Sequence, residues 1–335
     1  MSEAGAPLIE VRDLGIRLNT SRGPAQAVRG VSFSLKRGET LGLVGESGCG
    51  KSVTALALMG LLPDSAVVSG SIRLEGSELL GLSDANYCKL RGNRISMIFQ
   101  EPMTALNPMH TIGRQVAEPL RRHTGCSAGE ARKQAIDLLD RVGLSDAARR
   151  VDAYPHQFSG GQRQRITIAM ALACQPDVLI ADEPTTALDV TIQGQILDLI
   201  ADLVEERGMS MILISHDLGV IAENVQRMMV MYGGTVVESG ATDAVFNRMG
   251  HPYSQGLFRA RPRLGARKGT RLTTIAGTVP ELADLPAGCT FADRCVLVED
   301  RCRTALPSVV DVGAGHGVRC VRTDVSMAAA VGAPA

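Results

Sequence analysis

Leu8 to Leu18 and Ala27 to Leu35 alternate apolar and polar positions. A period of two predicts half-buried strands. Ser21-Arg22-Gly23-Pro24 reads as the turn between them, and Arg37-Gly38-Glu39 as a second turn. Thr40 to Val44 is then short and mostly apolar, as a buried strand is. Val53 to Leu62 is an apolar run compatible with a helix. Val67 to Leu74 and Arg94 to Phe99 are further strands. Glu101 to Pro108 is kept from being one regular helix by its prolines. Ile112 to Arg122, Ala128 to Val142 and Ser145 to Val151 carry a helical pattern, so an α-rich insert precedes the helix Arg163 to Ala173. Val178 to Ala181 and Met211 to Ile214 are uniformly apolar, the pattern of strands buried on both faces of a parallel sheet. Met228 to Tyr232 and Thr235 to Glu238 predict a hairpin about Gly233-Gly234. The whole is an α/β pattern.

Chemistry enters between the third strand and its helix. Gly45-Glu46-Ser47-Gly48-Cys49-Gly50-Lys51-Ser52 fits the phosphate-loop template of Gly, four residues, Gly-Lys-Ser/Thr. Glycines let successive backbone N–H groups turn inward on a polyphosphate. Lys51 brings charge to the outer phosphates, and the Ser52 hydroxyl can hold Mg²⁺. A chance match in a Gly-rich turn is the bland alternative, and the strand before and helix after count against it.

Ser159 and Gln162 have capping-box spacing at a Gly-rich helix start, Ser159-Gly160-Gly161-Gln162. Such a helix start is an anion site, although ordinary capping alone explains the pattern. Asp182 and Glu183 follow a buried strand at its C-terminal end, where open α/β sheets place ligands. Beside a phosphate loop they read as Mg²⁺ support (Asp182) and general base (Glu183). His216 ends the next strand in the same manner.

Composition narrows the class. Lys+Arg and Asp+Glu both total 35 in 335 residues, so the net charge of zero argues against a general nucleic-acid binder. No apolar run approaches the ~20 residues of a membrane span. The start of the chain lacks signal-peptide features, so a cytosolic chain is expected. Cys289, Cys295, Cys302 and Cys320 cluster late, separated by five, six and seventeen residues. This is not paired zinc-ribbon spacing. Four thiolates suit zinc or an iron–sulfur cluster, and plain thiols are as good a reading on chemistry alone.

Taken together, the motifs resemble the nucleotide-binding subunits of ABC transporters. Gly45–Ser52 matches the Walker A loop, Gln100 the Q-loop, Phe158–Gln162 the signature motif, and Val178–Glu183 Walker B with its catalytic glutamate. Ala187-Leu188-Asp189 matches the D-loop and His216 the switch histidine. Phe99 to Pro108, His251-Pro252-Tyr253, Ile275 to Pro280, Leu285 to Cys289 and the remaining tail cysteines resemble, more narrowly, the oligopeptide/dipeptide-type importer ATPases.

The resemblance implies a P-loop ATPase core over 8–258 with an antiparallel β-subdomain and an α-helical insert at about 101–175. A small Cys-rich C-terminal domain over 259–326 and a flexible tail at 327–335 would follow. It implies ATP bound by Gly45 to Val53 of one subunit and by Ser159, Gly160, Gly161, Gln162 and Asp189 of another. Mg²⁺ would be held by Ser52, Gln100 and Asp182, and catalysis would fall to Glu183, His216 and Gln100. The four tail cysteines would carry a [4Fe-4S] cluster, with Zn²⁺ as the alternative, in a structural role.

The partners implied are a second ATPase, by family habit a paralogue, two membrane permease subunits and a periplasmic or extracellular solute-binding protein. The place implied is the cytoplasmic face of the cell membrane. A soluble ABC-type ATPase acting on nucleic acid or ribosomes is the competing reading. It is disfavoured because such proteins usually carry two ATPase domains or long inserts. An ATP-switched module whose tail senses iron or oxidants is the third, and Glu183 speaks against it.

Three positions depart from the pattern. Leu18 stands where an aromatic residue usually stacks on adenine, Phe158 replaces Leu, and Cys49 replaces Ser. A thiol at a positive helix start beside Lys51 is expected to have a lowered pKa and to alkylate readily.

Overall fold

The computed structural model describes residues 6–186, 188–260 and 274–324. The proposed tail at 327–335 and Ala187 of the D-loop match lie outside the described residues.

The alternating N-terminal stretches form β1 (Ile9–Thr20) and β2 (Gly23–Leu35). β3 (Thr40–Val44) leads through the phosphate loop into α1 (Lys51–Leu58). That helix starts two residues earlier than its apolar run and stops four residues sooner, because Gly60 turns with positive φ before Pro63. β4 (Val67–Leu74), β5 (Ser77–Glu78), α2 (Asp84–Leu90) and β6 (Ile95–Ile98) follow. Pro102 opens the one-turn α3 (Pro102–Ala105). The helical insert is α4 (Ile112–Thr124), α5 (Ala128–Arg141) and the short α6 (Ala147–Arg150). Asp146 adopts a left-handed φ of 56° and trims that last helix to one turn.

α7 (Gly160–Leu172), β7 (Val178–Asp182), α8 (Val190–Glu206) and β8 (Ser210–Ser215) come next. Then follow α9 (Leu218–Asn224), β9 (Arg227–Tyr232) and β10 (Thr235–Ala241). α10 (Thr242–Asn247), α11 (Pro252–Arg259), α12 (Asp300–Thr304), β11 (Val310–Asp311) and β12 (Gly317–Val318) complete the described α-helices and strands. The β9–β10 hairpin turns on Gly233 and Gly234, both with positive φ as a tight two-residue hairpin requires.

The described chain divides into two compact units. One contains Leu35–Thr40 and Gly81–Leu213. Its strands run in the order β8-β7-β6, with Ile95 opposite Val178 in a parallel pair. β7 is buried along its length, which explains its unbroken apolar run. α4 and α5 pack in this unit, with Thr111 capping α4 and a Ser127/Glu130 capping box starting α5.

The other contains Ile9–Ser34, Leu41–Leu80 and the described residues from Ile214 onward. It holds an antiparallel four-stranded sheet, β2-β1-β4-β5, and a second set of strands ordered β11-β12-β10-β9-β3. β3 and β9 are parallel, with Leu41 opposite Arg227. β10 pairs antiparallel with β9 and also with β12, so the tail adds strands to this sheet.

Candidate functional site: a phosphate loop and its supports

The phosphate loop turns between β3 and α1. Gly50 caps α1 with φ 101°, and a Cβ there would lie 2.7 Å from the Ala27 carbonyl, so only glycine fits. Lys51 is buried, and its Nζ donates to the carbonyls of Gly45 at 2.7 Å and Glu46 at 3.1 Å. Its ammonium therefore lies within the curl of the loop. The Gly234 N–H donates to the Cys49 carbonyl at 3.1 Å, tying the loop to the β9–β10 turn.

Cys49 corrects the expectation of a reactive thiol. Its side chain is fully buried, and its Sγ lies 3.8 Å from Lys51 Nζ. Burial penalises the thiolate more than the Lys51 charge favours it, so the pKa rises rather than falls. The sequence showed the cation but not the burial.

Sequence reasoning missed the support for Glu46. Arg294 forms a two-pronged ion pair with the Glu46 carboxylate and also donates to Tyr232 Oη at 3.3 Å. The Glu46 N–H donates to Tyr253 Oη at 2.8 Å. Tyr232, Tyr253 and Phe291 form an aromatic cluster with ring centroids 4.6 to 5.3 Å apart. Nothing in the spacing of Glu46 and Arg294, 248 residues apart, signals the pairing.

In the other unit Asp182 ends β7 and is buried. Glu183 follows with φ 45°, a left-handed conformation uncommon for a side-chain-bearing residue. Its Oε2 accepts from Gln100 Nε2 at 3.2 Å and from Thr186 Oγ1 at 2.9 Å. The structure thus brings together two of the residues singled out in sequence, Gln100 and Glu183. Such strain at the end of a buried strand is typical of functional positions. The β6–β7 pairing positions both residues, since each follows the C-terminal end of its strand.

The Gly-rich helix start has the predicted capping box. Ser159 Oγ accepts from the Gln162 N–H at 3.3 Å, and Gln162 Oε1 accepts from the Ser159 N–H at 3.2 Å. Arg150 lies over the Phe158 ring at 4.3 Å, so Phe158 is a buried anchor. A Cβ at Gly161 would meet Ile192 of α8 at 3.1 Å. Asp189 is exposed at the N-terminus of α8, and His216 is exposed after β8.

The four late cysteines line one cavity, with His251 and Phe291 on its wall. All are free thiols. A Cβ at Gly288 would sit 2.3 Å from the Cys302 carbonyl, so glycine lets this backbone close on itself. The Cys289 N–H donates to that same carbonyl at 2.7 Å. Burial pushes the Cys289 thiol up to about 11 and raises Cys295 and Cys320 as well. Among the described residues no group of three or more His, Cys, Asp and Glu side chains is drawn together tightly enough to hold a metal ion as it stands.

Comparison with known proteins decides the family. Residues 28–186 match the ABC transporter family, and residues 237–302 match the oligopeptide/dipeptide transporter C-terminal region. A putative peptide import ATP-binding protein of Brucella melitensis is 50% identical over 328 residues, covering 94% of this chain and 97% of that protein. The chain belongs to the ABC transporter family, among its ATP-binding subunits. The oligopeptide transport ATP-binding protein OppD of Mycobacterium tuberculosis is 49% identical over 323 residues, covering 96% of this chain and 52% of that protein. A dimeric ATP-binding cassette solved in a post-hydrolysis state with ADP and phosphate superposes with a TM-score of 0.62 at 28% identity, covering 70% of this chain and 98% of that one. This ABC subunit is an ATP-hydrolysing enzyme with an α/β core, an antiparallel sheet and a helical region. The nucleic-acid and ribosome reading finds no support in these relatives. Among the described residues no helix is long and apolar enough to cross a membrane.

Proposed function

We propose that the chain powers import of peptides or a similar small solute through a separate permease, as a peripheral subunit on the cytoplasmic face of the membrane. The observation that carries this reading is the presence, in one chain, of a phosphate loop around a buried Lys51 and a capped Gly-rich start of α7. Two such subunits facing head to tail give each ATP a loop from one and a signature helix from the other. Gly45 to Val53 bind the phosphates, and Ser159, Gly160, Gly161, Gln162 and Asp189 complete the partner's ATP. Ser52, Asp182 and Gln100 support Mg²⁺. Glu183 polarises the attacking water and His216 contacts the γ-phosphate. The names of the relatives support a peptide cargo, and the dimeric cassette among the solved structures supports a second ATPase; two permease subunits and a solute-binding protein complete the proposed assembly.

The chain divides functionally into an ATPase domain over 8–258, with its helical part at about 101–175, and a Cys-rich domain over 259–326. Cys289, Cys295, Cys302 and Cys320 fit a [4Fe-4S] cluster better than one Zn²⁺ ion. They converge on one cavity without a disulfide, and a several-iron cluster spreads its ligands wider than a single ion does. The cluster supplies a cross-link that holds the tail together, and a cation that offsets the burial of four thiolates. Iron and acid-labile sulfide in anaerobically purified protein test this, and zinc without sulfide overturns it.

Purification from native membranes with partners identified by mass spectrometry tests the main reading. Two multi-span permeases with a second ATPase are expected. Recovery without any membrane protein overturns it.

A further inference from the structure

The place of adenine is the gap that Leu18 leaves. Leu18 is aliphatic and half-buried near the end of β1. Two residues further on, a cavity of about 350 Å³ opens beside the phosphate loop, a volume in the range of small-ligand sites. Its walls are the β1–β2 turn at Thr20, Ser21 and Arg22, the loop at Ser47 and Gly48, and residues 279–283 of the tail. The tail side is largely apolar: Val279, Pro280 and Leu282 are half-buried there.

This wall is held in place. Arg22 donates to Asp284 Oδ2 at 2.6 Å and Oδ1 at 2.8 Å, and to Glu281 Oε2 at 2.9 Å. Arg29 donates to the Pro286 carbonyl at 3.3 Å. Exposed ion pairs contribute little stability, but a two-pronged guanidinium–carboxylate contact fixes orientation. Pro280 stiffens the segment further. The tail is therefore strapped across the hairpin turn that borders the phosphate loop.

We propose that residues 279–283 form the base end of the nucleotide site. Pro280 and Leu282 supply the apolar face that an aromatic residue would otherwise give the adenine ring, and Arg22 holds them there. This rests on the reading above that the loop binds ATP. It gives the tail a direct part in nucleotide binding, separate from its cysteines.

The test is equilibrium binding of ATP and of inorganic tripolyphosphate to the full chain, compared by titration calorimetry. Tripolyphosphate engages the loop without a base. Leu282→Ala and Pro280→Gly are each expected to weaken ATP about tenfold, the effect of losing a partly buried apolar contact. Arg22→Ala is expected to act in the same direction by releasing the strap. Tripolyphosphate affinity stays at the wild-type value in all three, which also shows that the loop is folded. Unchanged ATP binding in the variants overturns the proposal, and so does an equal loss for both ligands. A wild-type chain that binds tripolyphosphate as tightly as ATP overturns this proposal alone. One that binds neither overturns the ATP reading and this proposal with it.

Discussion

Arg294 lays its guanidinium on the Glu46 carboxylate, Nη1 to Oε2 at 2.7 Å and Nη2 to Oε1 at 3.2 Å. Glu46 belongs to the phosphate loop, and Arg294 immediately precedes Cys295 of the four-cysteine cavity. The Arg294 side chain is only 5% exposed, whereas Glu46 is 29% exposed. A two-pronged pair in that setting keeps much of its strength. We expect Arg294→Ala and Glu46→Ala to be non-additive in denaturant unfolding, with a coupling of about 1–2 kcal/mol. Arg294→Lys keeps the charge but loses the fork and recovers only part of it. Additive effects would show that the pair does not support the loop.

Glu183 is presented by a strained backbone and held by Gln100 and Thr186. Its expected role is to orient and activate water. Glu183→Gln keeps the size and the hydrogen-bonding reach but removes the basic oxygen. Steady-state hydrolysis is expected to fall by ~10²–10⁴, the usual contribution of a general base, while ATP still binds. Phosphate release and nucleotide titration on the same preparation check both halves. An unchanged turnover assigns the base elsewhere.

The elements around the chemistry were legible because they obey local rules. β3, β4 and β8 follow from apolar patterning, α7 from its capping box, and the β9–β10 turn from two glycines. The tail was legible as short motifs, Ile275 to Pro280 and Leu285 to Cys289, and a set of cysteines, but not as secondary structure. Its strands β11 and β12 are two residues each, β12 pairing with β10 and β11 with β12, so no periodicity announces them. The Arg294–Glu46 and Arg22–Asp284 contacts join positions far apart in sequence, and one chain gives no signal for either. Cys49 shows the same limit from the other side. A neighbouring charge is visible in sequence, but the burial that overrides it is a property of the fold.

Cys49 should accordingly resist alkylation. With full burial and a raised pKa, little thiolate forms near neutral pH and the reagent has no access. Labelling by iodoacetamide, mapped by peptide mass, is expected to be slow with or without ATP and to become fast in denaturant. Rapid labelling of the native, nucleotide-free chain would show that the loop opens.

Asp177 sets an acid limit on the unit that carries Glu183. Arg37 Nη1 reaches one of its oxygens at 3.0 Å, and Arg94 Nε bonds the other. Burial alone would raise its pKa, but the hydrogen bonds and charges of Arg94 and Arg37 outweigh it and hold the carboxyl below its ordinary value. In the unfolded chain the group takes up its proton near pH ~3.9. Between that value and the lower native one the unfolded state binds more protons. The contribution is therefore complete above pH ~4 and is lost as pH falls through the native value. Asp177→Asn should cost about 1 kcal/mol at neutral pH, less than hydrogen bonds to charged groups usually contribute because the site is partly exposed. The gap between Asp177→Asn and the wild-type chain should narrow as the pH drops below about 4. Urea midpoints measured across that range check the sign, and a gap that widens in acid would mean that the arginines do not hold the carboxylate.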